Sequence, residues 1–207
     1  MRPSHARRAR LQAACPICGV GELNARWYSY LPGMYLGDGC ISEGARKVFK
    51  LRIVLDNRYP GIIDECARAM IAVRPAHTKV GRVKKIGCTE VCSYWKHWPC
   101  LFPQHGPGAK HLRPIELVPW QRWIATYHPD RLLRGLIHSD GCRSLNYVNG
   151  KGYLRYQFSN NSEDIRQIFC EACDAYGVAW RQSNWKTISV SRAGATARRE
   201  MIAGPKM

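Results

Sequence analysis

The chain contains one unit twice. LPGMYLGDGCIS at 31–42 aligns with LRGLIHSDGCRS at 133–144, sharing Leu31/Leu133, Gly33/Gly135, Asp38/Asp140, Gly39/Gly141, Cys40/Cys142 and Ser42/Ser144 at a constant offset of 102. The likeness continues downstream. Leu51-Arg52 matches Leu154-Arg155 at an offset of 103, as a second-copy hairpin one residue longer would give. A sustained internal repeat fixes the architecture before any single residue is read.

The patterns after each motif come in the same order. A turn follows first, Glu43-Gly44-Ala45 in one copy and Asn149-Gly150 in the other, the latter a strong two-residue hairpin signal. An alternating strand comes next. In VFKLRIVL, Phe49, Leu51, Ile53 and Leu55 share one face against Lys50 and Arg52; in YLRYQF, Leu154, Tyr156 and Phe158 oppose Tyr153, Arg155 and Gln157. Period-two alternation predicts half-buried antiparallel strands whose second face meets solvent or a ligand. A helix then follows, PGIIDECARAMIAV or EDIRQIFCEACDAYGV, with Asn57 and Asn160/Ser162 as cap candidates. A second hairpin closes each copy, at 79–96 around Gly87 and at 178–192 around Ser183-Asn184. The fold class read from this is α+β, two tandem αββαββ half-domains with a possible trailing helix.

Within each motif, Gly33 and Gly37, or Gly135 and Ser139, stand four apart and make a strip of small residues on one helix face. Two such helices are expected to pack closely side by side. Gly39 and Gly141 are expected to end them with positive φ, and Pro32 is tolerable if it falls in the first turn. Asp38 and Asp140 then sit at helix C-termini, the unfavourable end for a carboxylate, and beside each other. Fold stability does not ask for this arrangement, and divalent cations relieve it. Oxygen-rich sites suit Mg²⁺ or Mn²⁺, which activate water and stabilise the leaving oxygen at a phosphate.

Thirty-two Lys and Arg against fifteen Asp and Glu give a net charge of +17, self-repulsion that is usually explained by a polyanionic partner. No apolar run approaches the ~20 residues of a membrane span, and no amphipathic basic helix with a Trp/Leu face suggests a membrane surface. Met1 to Gln12 lack the apolar core of a signal peptide. A cytoplasmic protein is therefore expected, nucleoid-associated in a bacterium, monomeric and free-standing.

Ten cysteines without a secretion signal do not read as a disulfide framework. Cys15/Cys18 (CPIC) supply half of a zinc knuckle whose other ligands must come from far along the chain. Zinc at Cys15/Cys18 is held open but not expected. Cys170/Cys173 read as buried thiols, and Cys88/Cys92 carry no stronger signal. Residues 97–130 form a Pro- and Gly-containing connector, with a helix expected from Trp120 to Tyr127. Trp98, Trp120 and Trp123 are expected to hold it, or else Lys110, His111 and Arg113 lie along phosphates. His97, His105, His111 and His128 show no clean metal spacing. The resulting division is 1–27, a basic segment; 28–104 and 129–207, the half-domains; and 105–128, the connector.

LPGMYLGDG (31–39) and LRGLIHSDG (133–141) resemble the two signature motifs of single-chain LAGLIDADG homing endonucleases, and the element order carries the resemblance over 28–195. His138 departs from the usual apolar or acidic motif residue, and the hairpins are short for this type. The resemblance implies a pseudo-twofold fold with the motif helices at the interface and saddle-shaped antiparallel sheets in the DNA major groove. It implies cleavage of both strands of a long pseudo-palindromic DNA target with a divalent metal. Asp38 and Asp140 match the family's metal-binding acids, with Gly37 and Ser139 beside them in the ligand set. Lys96 and Arg192 match basic residues near the scissile phosphates, and Asn57 and Asn160 match water-ordering side chains. DNA-contacting positions are Lys50, Arg52, Arg82, Lys84, Lys110, Arg113, Lys151, Tyr153, Arg155, Gln157, Arg181 and Lys186. The alternative is a DNA-binding regulator or an RNA-splicing maturase that keeps the scaffold without cutting.

Overall fold

A computed structural model of the chain describes residues 17–19, 22–74 and 78–190. Helix α1 (Ala25–Asp38) begins at Asn24, whose side-chain oxygen accepts from the Trp27 amide at 3.2 Å, satisfying an amide the helix leaves unpaired. It runs into β1 (Gly39–Glu43), β2 (Phe49–Asp56), α2 (Pro60–Val73), β3 (Val80–Lys84) and β4 (Cys88–Trp95). The connector holds the short α3 (Trp98–Leu101) and α4 (Pro119–Tyr127). The second copy repeats the plan as α5 (Pro129–Asp140), β5 (Gly141–Val148), β6 (Lys151–Ser159), α6 (Glu163–Tyr176), β7 (Arg181–Asn184) and β8 (Thr187–Val190).

The strands form two antiparallel four-stranded sheets of identical topology, β1-β2-β4-β3 and β5-β6-β8-β7. Leu51, Ile53 and Leu55 of β2, and Tyr156 and Phe158 of β6, point into the core beneath the helices. Lys50, Arg52 and Val54 point to the other side. The Asn149-Gly150 hairpin has φ of 50° and 74°, and Gly87 turns the β3–β4 hairpin at φ 76°. The β7–β8 turn falls at Trp185-Lys186, two residues later than Ser183-Asn184.

Helices α1 and α5 pack along the predicted small residues. A Cβ on Gly33 would lie 2.6 Å from Leu132 O and Leu136 N, and one on Gly135 would run into Tyr30 O. The backbones are that close because nothing separates them. Gly39 and Gly141 are needed for a different reason than expected. Their φ values of −92° and −88° are extended, so left-handed freedom is not used. A Cβ on Gly141 would instead press on Ile137 Cα and O at 2.6 Å, and one on Gly39 would meet the Tyr35 backbone. Each chain folds straight back over its own helix.

Pro32 also departs from expectation. It stands in the middle of α1, buried, not in its first turn. Its ring removes one helical donor, and the helix continues to Asp38 because both of its faces are packed: Tyr28, Tyr30, Leu31, Met34, Tyr35 and Leu36 are all buried. The connector is part of the core. Trp98, Leu101, Phe102, Ile115 and Leu117 are buried and Trp120 packs against them, whereas Trp123 is exposed.

A buried ion cluster joins the halves. Glu65 of α2 accepts from Arg134 of α5 through both oxygens at 2.7 Å and from Arg131 at 3.1 Å. Burial raises the Glu65 carboxyl, but the Arg134 hydrogen bond and charge, with His138 and Arg131, outweigh it and leave the group below the usual range. His138, the unusual motif residue, bonds the Tyr30 hydroxyl through Nδ1 at 2.9 Å. These contacts are made only when α1, α2 and α5 come together.

Gly135→Ala should therefore destabilise the protein by about 3 kcal/mol or more, since the added methyl meets rigid backbone. Gly150→Ala, at an open turn, should lose only about 1 kcal/mol through its positive φ. Urea unfolding of the two variants checks the order.

Candidate active site

Asp38 and Asp140 are the last residues of α1 and α5. Asp38 is exposed and Asp140 half-buried. A Cβ on Gly37 would lie 3.0 Å from Asp140 Cγ, so the Asp140 carboxyl sits against the end of the other motif helix. It borders a cleft of about 310 Å³ lined also by Leu36, Gly37, Lys110, His111, Ser159, Asn160, Asn161 and Lys186.

Lys110 enters this helix end from the connector. Its Nζ donates to the carbonyls of Tyr35, Leu36 and Gly37 at 2.6, 3.0 and 2.9 Å. These are carbonyls that α1 leaves without helical partners at its negative end. Burial pushes the Lys110 ammonium down to about 8, against the pull of Asp140, Asp38 and Cys40 and with a further push from Arg113. Lys110 thus works as a fixed cation beneath the two carboxylates, and the connector reading along phosphates gives way to this one. Arg113, expected on DNA, donates to Gln104 O at 2.5 Å inside the connector.

The two asparagines are equivalent in backbone but not in side chain. Asn57 N donates to Gly87 O and Asn160 N to Lys186 O, at 3.1 and 3.0 Å. Asn160 Nδ2 then donates to Asp140 Oδ2 at 2.6 Å, and its Oδ1 accepts from Ser162 N at 2.8 Å, which aims the amide at the carboxylate. Asn57 turns across its hairpin instead, donating to Lys85 O and accepting from Thr89 Oγ1. Neither asparagine is a helix cap: Ser162 caps α6, and α2 starts at Tyr59 with Pro60 in its first position.

Other expected site residues are placed elsewhere. Lys96 follows β4, whose Val91 shares a row with Gly39 through Ile53. Five residues of strand put Lys96 about 16 Å along the sheet from that row, away from Asp38. Arg192 lies outside the described residues. Lys186, in the β7–β8 turn, lines the cleft with Asp140 and Lys110. Ser139 Oγ bonds across the helix pair to Gly33 O at 3.1 Å, and Gly37 O accepts from Lys110. Both are committed to holding α1 in place.

The open sheet faces carry most, but not all, of the expected contact residues. Lys50 and Arg52 share a face in the first sheet with Cys92 and Glu90; Tyr153, Arg155, Gln157, Lys151 and Arg181 share one in the second. Lys50 is tied to Glu90 at 2.5 Å, with Lys85 at 3.1 Å, and their hydrogen bonds hold the Glu90 carboxyl down at about 2. Arg82 and Lys84 fall on the opposite face. Arg82 pairs in register with the core residue Val91 and its guanidinium bonds Asp64 of α2 at 2.5 Å. Alternation along an edge strand gives two faces but does not say which one looks outward.

The donors around the carboxylates are hard oxygens: the Asp140 carboxylate, the Ser159 hydroxyl and the Asn160 and Asn161 amides. This set suits Mg²⁺ or Mn²⁺ and does not favour a soft metal. Among the described residues, no helix is long and apolar enough to cross a membrane.

Solved structures of the same architecture decide the fold. The homing endonuclease I-WcaI bound to its DNA recognition sequence superposes with a TM-score of 0.54 at 13% identity, over 100% of this chain and 90% of that one. The N-terminal LAGLIDADG domain of WhiA superposes with a TM-score of 0.51 at 10% identity, over 98% and 91%. This is the LAGLIDADG fold. No protein-family model and no curated protein matches the chain. At these identities the LAGLIDADG likeness concerns the backbone; the chemistry rests on the residues described above.

The stability of the protein relative to Lys110→Met should rise with pH. Between about 8 and the ordinary lysine value of 10.5 the unfolded chain holds a proton on Lys110 that the folded chain has released, so folding is favoured as protons are withdrawn. The penalty for the buried charge is complete below that window. Urea unfolding of both proteins across pH 7 to about 10.5 measures it; a difference independent of pH would contradict the buried placement.

Proposed function

We propose that the chain is a sequence-specific double-stranded DNA endonuclease of the homing endonuclease type, hydrolysing a phosphodiester bond on each strand with a divalent metal. One observation carries this reading: two repeat-equivalent aspartates, Asp38 and Asp140, end the two helices that join the half-domains. They lie between two open sheet faces that bear Lys50, Arg52, Lys151, Arg155 and Arg181. A pure binding surface gains nothing by putting carboxylates where a phosphate backbone must pass.

Asp38 and Asp140 would hold Mg²⁺ or Mn²⁺, which when bound supplies charge stabilisation at the phosphate and a more acidic water. The chain's own residues do the positioning. Asn160 holds the Asp140 carboxylate by its 2.6 Å hydrogen bond. Lys186 faces the same cleft and attracts the phosphate, and Lys110 offsets the repulsion between the carboxylates at the end of α1. On the sheets, Arg155, Arg52 and Gln157 have the fork geometry for G and A edges, and lysines suit phosphates. The net charge of +17 favours the same partner. The solved relative I-WcaI, bound to its DNA recognition sequence, agrees with it.

A second reading, a DNA-binding regulator or an RNA-splicing maturase, draws on Lys110. Its ammonium already occupies the carbonyl end of α1 and can neutralise the carboxylates without a metal.

With Mg²⁺ or Mn²⁺ and a library of random DNA sites, the protein should make double-strand breaks at a long pseudo-palindromic sequence. Asp38→Asn and Asp140→Asn should each slow cutting by about a thousandfold or more, the equivalent of several kcal/mol of lost metal-assisted stabilisation, while DNA affinity stays within a few-fold. Undiminished cutting by either variant refutes the assignment. Tight specific binding without any cutting selects the second reading.

A further inference from the structure

Away from the cleft, three residues far apart in sequence converge near the end of β4. Cys18 Sγ lies 2.9 Å from His97 Nδ1. Cys100 Sγ lies 3.9 Å from Cys18 Sγ and 3.8 Å from His97 Nδ1. No two of the three ligand atoms are more than 4.8 Å apart. At zinc bond lengths of about 2.3 Å to sulfur and 2.05 Å to nitrogen, the edges of a tetrahedron are about 3.8 Å between sulfurs and about 3.6 Å between sulfur and nitrogen. Two edges of the observed triangle, at 3.9 and 3.8 Å, have that size, and the Cys18–His97 edge, at 2.9 Å, is a hydrogen-bond distance that an ion between them would widen. The sulfur–sulfur separation is nearly twice a disulfide bond of about 2.05 Å, and the imidazole nitrogen lies in contact with both thiols.

The local structure holds the triangle in place. His97 begins α3 and Cys100 follows three residues later. The helix is seated by Trp98, fully buried, whose Nε1 donates to Ser93 O at 3.0 Å, and the His97 ring packs on Trp95 at 5.3 Å between centroids. Cys18 comes from the turn at 17–19. His97-Trp-Pro-Cys100 puts two of the ligands three residues apart. Cys15 lies outside the described residues.

We propose that Cys18, His97 and Cys100 bind one zinc ion that fastens the turn at 17–19 to the first half-domain. Thiolate and imidazole ligands suit zinc and not the Mg²⁺ or Mn²⁺ of the aspartate site. Each binding thiol releases its proton to solvent and binds as thiolate. The three ligands join a turn near the N-terminus to a helix far along the chain, so the ion acts in folding. His97 shows no clean metal spacing with the other histidines; its partners are Cys100, three residues on, and Cys18, 79 residues away, which only the fold brings to it.

The test is metal analysis of the full-length, untagged protein purified without chelator. One zinc ion per chain is expected, and exchange with cobalt(II) should give the intense visible and charge-transfer absorption of a tetrahedral thiolate site. Cys18→Ser and Cys100→Ser should each lose stoichiometric zinc and lower the thermal midpoint, whereas Cys142→Ser, on the second sheet, should keep both. Absence of zinc from the wild-type protein, a weak octahedral cobalt spectrum, a Cys18–Cys100 disulfide found by mass spectrometry, or full zinc retention in Cys18→Ser would each overturn the proposal. The wild-type measurements decide the matter even if a variant fails to fold.

Discussion

The backbone contact between α1 and α5 governs everything else in this structure. Where Gly33 and Gly135 face each other, no side chain keeps the helices apart, and the two halves share one core instead of touching through a surface. The ends of the helices then have no freedom of relative position. Asp38 and Asp140 are carried to the same end of the pair, and the Glu65–Arg134–Arg131 cluster locks α2 of the first half onto α5 of the second. Removing one partner from such a buried cluster typically costs several kcal/mol. The arrangement of carboxylates is therefore as rigid as the interface itself.

This rigidity raises an electrostatic problem that the chain answers asymmetrically. A carboxylate at a helix C-terminus opposes the macrodipole, and here there are two. Lys110 compensates from the connector by taking three terminal carbonyls of α1, and Asn160 binds Asp140 from β6's end. Asn57, at the repeat-equivalent position, does neither. The backbone is twofold in plan, but the polar groups around the two aspartates are not. Two strands cut by such a site would meet different neighbours.

Much of the fold was legible because it is periodic. The repeat, the alternation in β2 and β6, the Asn149-Gly150 turn and the helix from Trp120 to Tyr127 all follow from local spacing, and each element stands within a few residues of its expected place. What was not legible depends on tertiary geometry. Gly39 and Gly141 read as left-handed caps because a glycine after a helix usually is one; in fact the reversing strand leaves no room for a Cβ. Alternation alone does not say which face of the edge strand β3 looks outward; Arg82 shares the row of the core residue Val91, and Asp64 on α2 claims its guanidinium. Lys96 was matched by its order in the repeat, while β4 carries it away from Asp38. Lys110 reaches Gly37 across 73 residues of chain and His97 reaches Cys18 across 79, distances at which spacing is silent.

On the proposed function, the close helix pair gives Asp38 and Asp140 a common divalent ion. Crystals of the protein with its cleaved-site DNA and Mn²⁺, measured for anomalous scattering, test it directly. A manganese peak is expected about 2 Å from a carboxylate oxygen of each aspartate, with Lys110 still on the carbonyls of α1. A peak bound by one aspartate alone, or manganese found only elsewhere on the protein, would contradict it.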